Sequence, residues 1–153
     1  LGFDITPDAF NILKEDFVFE YKKRQFVAHL FPDTLYALNN IKSHNMKLSV
    51  LSASNQKILS TLMGFYSIGH FFAHVSGVDN YEAAGKENLG LKLLKSLSKS
   101  RSDIVMVGDT DLDYKVSQKL GVDCILIARG HQSHKRLSAL NCPVVYSLMD
   151  LFE

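Results

Sequence analysis

Three aspartates, Asp109, Asp111 and Asp113, alternate in "VMVGDTDLDY" directly after an apolar run that reads as the end of a buried strand. Ionised carboxylates crowded at such a place repel one another and lose hydration, so they need a cation or several hydrogen bonds. A hard divalent ion held by carboxylates and water, Mg²⁺ above all, meets that need. A continuing strand would set all three on one face. The turn into "LDYKVSQKL" separates them, so Asp109 and Asp113 are expected to converge and Asp111 to point away. The spacing also matches the first ligands of an EF-hand calcium loop. That reading fails, because Tyr114 stands where the loop glycine belongs and Leu120 where its bidentate glutamate belongs.

Two other strand ends carry polar groups. "KLSVL" runs into Ser52-Ala53-Ser54-Asn55, whose hydroxyls and N–H groups at a helix start make a cradle for an oxyanion. The plainer role for Ser54 or Asn55 is to cap that helix. Gly85-Lys86-Glu87-Asn88 lies between "FFAHVSG" and the next helix, where the Lys86 ammonium can act as a point charge over the same anion. Taken alone, a lysine at such a junction is usually just solvated.

These groups need a scaffold that brings strand ends together. Residues 7 to 30 have Phe10, Leu13, Phe17 and Tyr21 at helical spacings, with Lys22, Lys23 and Arg24 as a solvated face. Pro32 then opens a helix whose apolar face is Leu35, Leu38 and Ile41. From "KLSVL" onward, short apolar strands alternate with amphipathic helices through "FFAHVSG", "DIVMVG", "DCILIA" and "PVVY". Such alternation predicts a parallel sheet covered on both faces, with ligands bound beyond the carboxyl ends of its strands. No internal repeat, low-complexity stretch or Gly/Ser linker interrupts the pattern.

The 153 residues suffice for one domain around a single sheet, and the formal net charge is +1. No broad field therefore favours nucleic acid or an anionic membrane, and any bound anion must be held locally. No apolar run approaches the ~20 residues that span a bilayer. Two cysteines are too few for a disulfide framework, and Cys124 in "DCILIA" reads as a small core hydrophobe. The expectation is a soluble protein in the reducing cytoplasm.

In this order and spacing the three strand ends resemble the haloacid dehalogenase-like phosphohydrolases, the branch that includes phosphoglycolate phosphatase and β-phosphoglucomutase. "KLSVLSAS" resembles the second motif of that family, which maps to Ser52. Lys86 in "GKEN" resembles the third, although Glu87 stands where the family usually has proline. "VMVGDTDLD" resembles the fourth, with Asp109 and Asp113 as its two acids. The resemblance spans residues 29–153 and implies a Rossmann-like three-layer α/β sandwich with a mostly parallel sheet, while residues 1–28 resemble the end of an α-helical cap.

The resemblance also implies a mechanism. An aspartate of the first motif attacks the phosphorus and becomes an aspartyl phosphate, which water hydrolyses. Mg²⁺ is held by Asp109 and by Asp113, directly or through water, while Ser52, the Ala53 N–H and Lys86 hold the phosphoryl oxygens. The first motif, Asp-x-Asp after an apolar strand, has only "LGFDITPD" as a candidate. It is rejected, because Asp4 is followed by Thr6 instead of a second aspartate. With Leu1 opening the chain, the expectation is that the motif lies in sequence absent from it. The chain as printed is then inactive, and its sheet has a gap where the central strand belongs.

The implied substrate is a small phosphorylated metabolite, chosen by the cap, with no nucleic-acid or membrane partner and nothing to set the oligomeric state. A phosphomutase of the same fold and a non-catalytic binding or regulatory module are the alternatives. "LSAS" leans toward the first, and joint retention of Ser52, Lys86, Asp109 and Asp113 argues against the second. His131 and His134 have helical metal-ligand spacing, but capping and solvation explain them better. His29, His44, His70 and His74 form no pattern. Phe65, Tyr66, Phe71 and Phe72 are expected in the core, since no basic residues interleave with them as in a stacking platform.

Overall fold

Pro7 at the first helical position and the Thr6 hydroxyl, which accepts the Ala9 N–H, start helix α1 (Pro7–Arg24). Its last turn is basic, as the helix dipole favours, and Lys23 and Arg24 pair with Glu20 one turn back. Its apolar side chains find little cover: Phe10, Leu13, Phe17 and Phe19 are all more than half exposed. The computed structural model describes residues 6–79 and 85–152.

Beyond α1 the chain alternates as its periodicity predicts. Helix α2 (Thr34–Ser43) is followed by β1 (Leu48–Asn55), α3 (Gln56–Phe65), β2 (Phe72–Val78) and α4 (Lys86–Leu97). Then come β3 (Val105–Gly108), α5 (Asp111–Leu120), β4 (Asp123–Ile127), α6 (His134–Leu137) and β5 (Val144–Val145). Every ladder is parallel, as helical crossovers require. No helix among the described residues is long and apolar enough to cross a membrane.

The strands form two ladders. In one, β1 pairs with β2, with Val50 opposite Val75; in the other, β3, β4 and β5 lie in that order, with Val107 opposite Ile125 and Leu126 opposite Val144. Among the described residues no ladder joins β1 to β3. Val105 and Val107 of β3 are 51% and 40% exposed, far more than valines of a fully covered strand.

Helices hold the two ladders together. Val116 and Leu120 of α5, with Val122, form a buried cluster that takes Leu51 from β1, Leu94 from α4 and Met106 from β3. Each fully buried aliphatic side chain contributes about 1.5–3 kcal/mol, so this shared cluster replaces the missing strand-to-strand hydrogen bonds as the link. A second cluster, Cys124, Leu126 and Leu137, is packed by Tyr114, Cys142 and Val144.

One core expectation is corrected. Phe65, at the last position of α3, is 55% exposed. Its ring packs against Phe26 at 4.7 Å and Tyr66 at 5.0 Å, and the Tyr66 hydroxyl donates to the Ala28 carbonyl. The aromatic group thus anchors the segment after α1 instead of filling the interior.

Candidate active site

The site begins with an irregularity in β1. Leu51 opposes Ser76 and Asn55 opposes Val78, so Ser52-Ala53-Ser54 bulge against Gly77 alone. The Ser52 hydroxyl accepts the Ser54 N–H at 3.0 Å, closing a tight turn. Helix capping falls to Asn55, whose side chain accepts the Lys57 N–H at 3.0 Å. Gln56 straddles the neighbouring strand, donating to the Val75 carbonyl and accepting the Gly77 N–H.

At the end of β3 the chain turns into α5 through a capping box. Thr110 accepts the Asp113 N–H at 3.3 Å while the Asp113 side chain reaches back to the Thr110 N–H at 3.0 Å. The same carboxylate oxygen, Oδ2, also accepts the Asp109 N–H at 3.1 Å and the Thr110 hydroxyl at 2.8 Å. The other oxygen, Oδ1, takes the Lys86 ammonium at 2.6 Å. Asp113 lies so close under the strand end that a Cβ on Gly108 would fall 2.3 Å from its own Cβ. Only glycine fits there.

Burial pushes the Asp113 carboxyl upward, but Lys86, Thr110 and the Asp109 N–H outweigh it and hold the group below the ordinary carboxylate range. Asp113 is therefore an anion only 5% exposed. Lys86 can reach it because Gly85, in the left-handed conformation at φ 96°, turns the chain immediately before α4.

Asp109 differs. Its N–H serves Asp113, but among the described residues nothing donates to its carboxylate. The carboxylate lies against Gly130 in the loop after β4, where a Cβ would fall 1.8 Å from Oδ2. Asp111 does turn away, though not into open solvent. Its oxygens accept from Gln132 at 2.7 Å and Arg136 at 2.8 Å, and its N–H donates to Gln132 at 2.9 Å. Arg136 first and Gln132 second hold its pKa down to about 2.

Lys86, Asp109 and Asp113 are thus brought together, while no hydrogen bond joins Ser52 or Ala53 to them. Among the described residues no group of three or more His, Cys, Asp or Glu side chains is arranged to hold a metal ion. A hard divalent cation fits the uncommitted carboxylate of Asp109; Asp113 has both oxygens engaged. The Asp4 candidate lies outside the described residues. His131 and His134 form no pair. The His134 ring stacks on Tyr146 at 4.7 Å, and its Nδ1 meets the Ser138 hydroxyl at 3.0 Å.

A clamp behind the site is invisible in local patterns. Asp33 Oδ2 accepts from Arg129 at 2.8 Å and from the Leu148 N–H at 3.0 Å, and the guanidinium lies 4.0 Å from the Phe31 ring centroid. The Arg129 hydrogen bond is the largest influence holding the Asp33 carboxyl below its ordinary range. Arg129 immediately precedes Gly130, so the clamp bears on the loop that faces Asp109. By contrast, the capping box carries a local signal, Thr110-x-x-Asp113, that could have found it although the sequence analysis did not use it.

A parallel α/β scaffold with a buried Lys–Asp pair beside an uncommitted aspartate at a strand end defines a recognisable class. The chain belongs to the haloacid dehalogenase-like hydrolases, whose family model matches residues 4–127. Among individual proteins, phosphoglycolate phosphatase from Aquifex aeolicus (strain VF5) is 26% identical over 102 residues, which is 66% of this chain and 48% of that protein. The chain thus spans about half the length of this curated relative. A haloacid dehalogenase-like family hydrolase from Streptococcus pneumoniae superposes with a TM-score of 0.87 at 18% identity, over 97% of this chain and 71% of that one. Protein tyrosine kinase A from Mycobacterium tuberculosis superposes with a TM-score of 0.79 at 16% identity, over 96% of this chain and 70% of that one. These two likenesses show the fold alone.

Proposed function

We propose that these residues form most of the active site of a Mg²⁺-dependent phosphatase acting on a small organic phosphate through an aspartyl-phosphate intermediate. The observation that carries the reading is the Lys86–Asp113 pair, whose carboxylate also accepts the Asp109 N–H, together with an Asp109 carboxylate that no donor among the described residues engages. Family membership and the match to a phosphoglycolate phosphatase support it, and make a short phosphorylated acid the first substrate class to test.

In this reading Asp109 is the direct carboxylate ligand, and Asp113 acts one step removed. Mg²⁺, when bound, neutralises charge on the phosphoryl group and on the attacking carboxylate. Asp113 holds Lys86 and the Asp109–Thr110 turn, so any contact it makes with the ion runs through water. Lys86, the Ser52 hydroxyl and the Ala53 N–H receive the phosphoryl oxygens. The attacking aspartate is assigned to a first-motif strand N-terminal to the residues described above, in the gap between β1 and β3. Residues 1–28 are read as the end of a cap and residues 29–153 as the core. The two unpaired thiols suit the cytoplasm.

The test has two arms. The encoded sequence before Leu1 is read for an apolar strand ending in Asp-x-Asp. The protein carrying it is then assayed on phosphoglycolate and on an aryl phosphate. Hydrolysis that needs Mg²⁺ and falls at least about 100-fold in Asp109→Ala is the expected outcome, as for other removals of charge stabilisation. Activity that survives chelation or Asp109→Ala refutes the metal role, and a substituted first acid leaves a binding module.

A further inference from the structure

Cys124 and Cys142 are the two cysteines of the chain, and neither is in a disulfide. Leu126 opposes Val144 and Ile127 opposes Val145 in the parallel pair of β4 and β5. Cys142 lies two residues before that ladder, in a bend, and the two thiols are close enough to act on each other. Residues two apart on a strand share a face, so Cys124 points with Leu126 into the second buried cluster. Cys142 packs onto that cluster from β5's side. A disulfide spans roughly 4.4–6.8 Å between Cα atoms, a separation that a residue just beyond the end of a strand about 4.8 Å from its neighbour can reach.

Just before β5, Cys142 lies outside the ladder proper, with Pro143 between it and the first paired residue, Val144. Its backbone can adjust without breaking sheet hydrogen bonds. It is also the more accessible of the two, being half-buried where Cys124 is 6% exposed.

We propose that Cys124 and Cys142 are a cross-strand dithiol that closes reversibly to a disulfide, with a low-molecular-weight disulfide as the oxidant. Cys142 loses its proton and its thiolate attacks one sulfur of the oxidant, expelling one thiolate and leaving a mixed disulfide. The Cys124 thiol then loses its proton and attacks the Cys142 sulfur, expelling the second thiolate. Two protein thiols are oxidised, the oxidant is reduced to two thiols, and the two released protons go to the leaving groups. Burial pushes the Cys124 thiol up to about 11, and burial raises Cys142 as well. Both stay as thiols at neutral pH, so closure is slow and responds to a sustained oxidising shift. The closed form staples the segment of β5 to β4, whose following loop faces Asp109.

The folded chain is treated with oxidised glutathione at mildly alkaline pH, then denatured and alkylated with N-ethylmaleimide, and its intact mass is measured. The expected result is loss of two hydrogens, alkylatable thiols falling from two to none, and a proteolytic peptide joining Cys124 to Cys142. Dithiothreitol restores both thiols, and Cys124→Ser or Cys142→Ser abolishes the loss of mass. The proposal is overturned if both thiols remain alkylatable, if glutathione stays on Cys142 without proceeding, or if closure occurs only in urea.

Discussion

Asp113 keeps its charge at 5% exposure because four donors surround two oxygens, one of them a cation. Removing the charge while keeping the shape, as in Asp113→Asn, leaves the Lys86 ammonium buried without a counter-ion. Breaking one side of such a pair costs about 3–5 kcal/mol, and urea unfolding should show a loss of that size. The pH dependence has a definite sign. The folded carboxyl titrates below the unfolded value of about 3.9, so its stabilisation is complete above that pH. It drains away as pH falls through the lower folded value. Unfolding free energy should therefore decline on acidification from about pH 4, and Asp113→Asn should flatten that decline.

The roles of neighbouring acids were only partly legible at this scale. Hydrophobic run, glycine and spaced carboxylates were enough to predict that Asp109 and Asp113 lie together at a strand end. The partner of Asp113 was not, because Lys86 lies 27 residues away and its ammonium reaches the same point as a bound anion would. Asp111 likewise separated from the other two by helix geometry, but its binding to Gln132 and Arg136 depends on how the loop after β4 folds back.

Between elements, the Asp33–Arg129–Leu148 clamp joins the segment before α2, the end of β4 and the C-terminal 3-10 turn. Asp33→Ala strands the Leu148 N–H and the Arg129 guanidinium together. Leaving buried donors unpaired costs about 1–3 kcal/mol, more for a charged one. The Leu148 amide should lose its protection from hydrogen exchange at the same time. If Leu148 exchanges as slowly in Asp33→Ala as in the parent, the clamp does not hold that turn. Nothing in the sequence marks this contact, because its members are up to 115 residues apart, Asp33 and Arg129 each read alone as ordinary surface charges, and Leu148 contributes only its backbone N–H. The strands and helices themselves were legible, since periodicity reports burial locally. Phe65 was misread for the same reason: apolar character shows that a ring seeks cover, not which cover it finds.

For the molecule as a whole, parallel pairing and the α/β class followed from alternation, while the break between the β1–β2 and β3–β4–β5 ladders is a feature of the described residues. The break also divides the folding problem. Residues 48–78 make a βαβ unit, and residues 105–145 make a three-stranded βαβαβ unit. Each carries its own ladder, and they are coupled through helices, by the α5 cluster and by the Lys86–Asp113 and Glu87–Lys119 pairs between α4 and α5. Native-state hydrogen exchange in rising denaturant should resolve two sets of amides opening at different free energies, one for β1 and β2 and one for β3, β4 and β5. A single opening for all five strands would show that the helices transmit cooperativity as fully as a continuous sheet. Both ladders are parallel and pair residues across an intervening helix, so each must close a long loop before its hydrogen bonds form. Docking of α4 against α5 is a separate event from closing either ladder, and it is the step that brings Lys86 to Asp113.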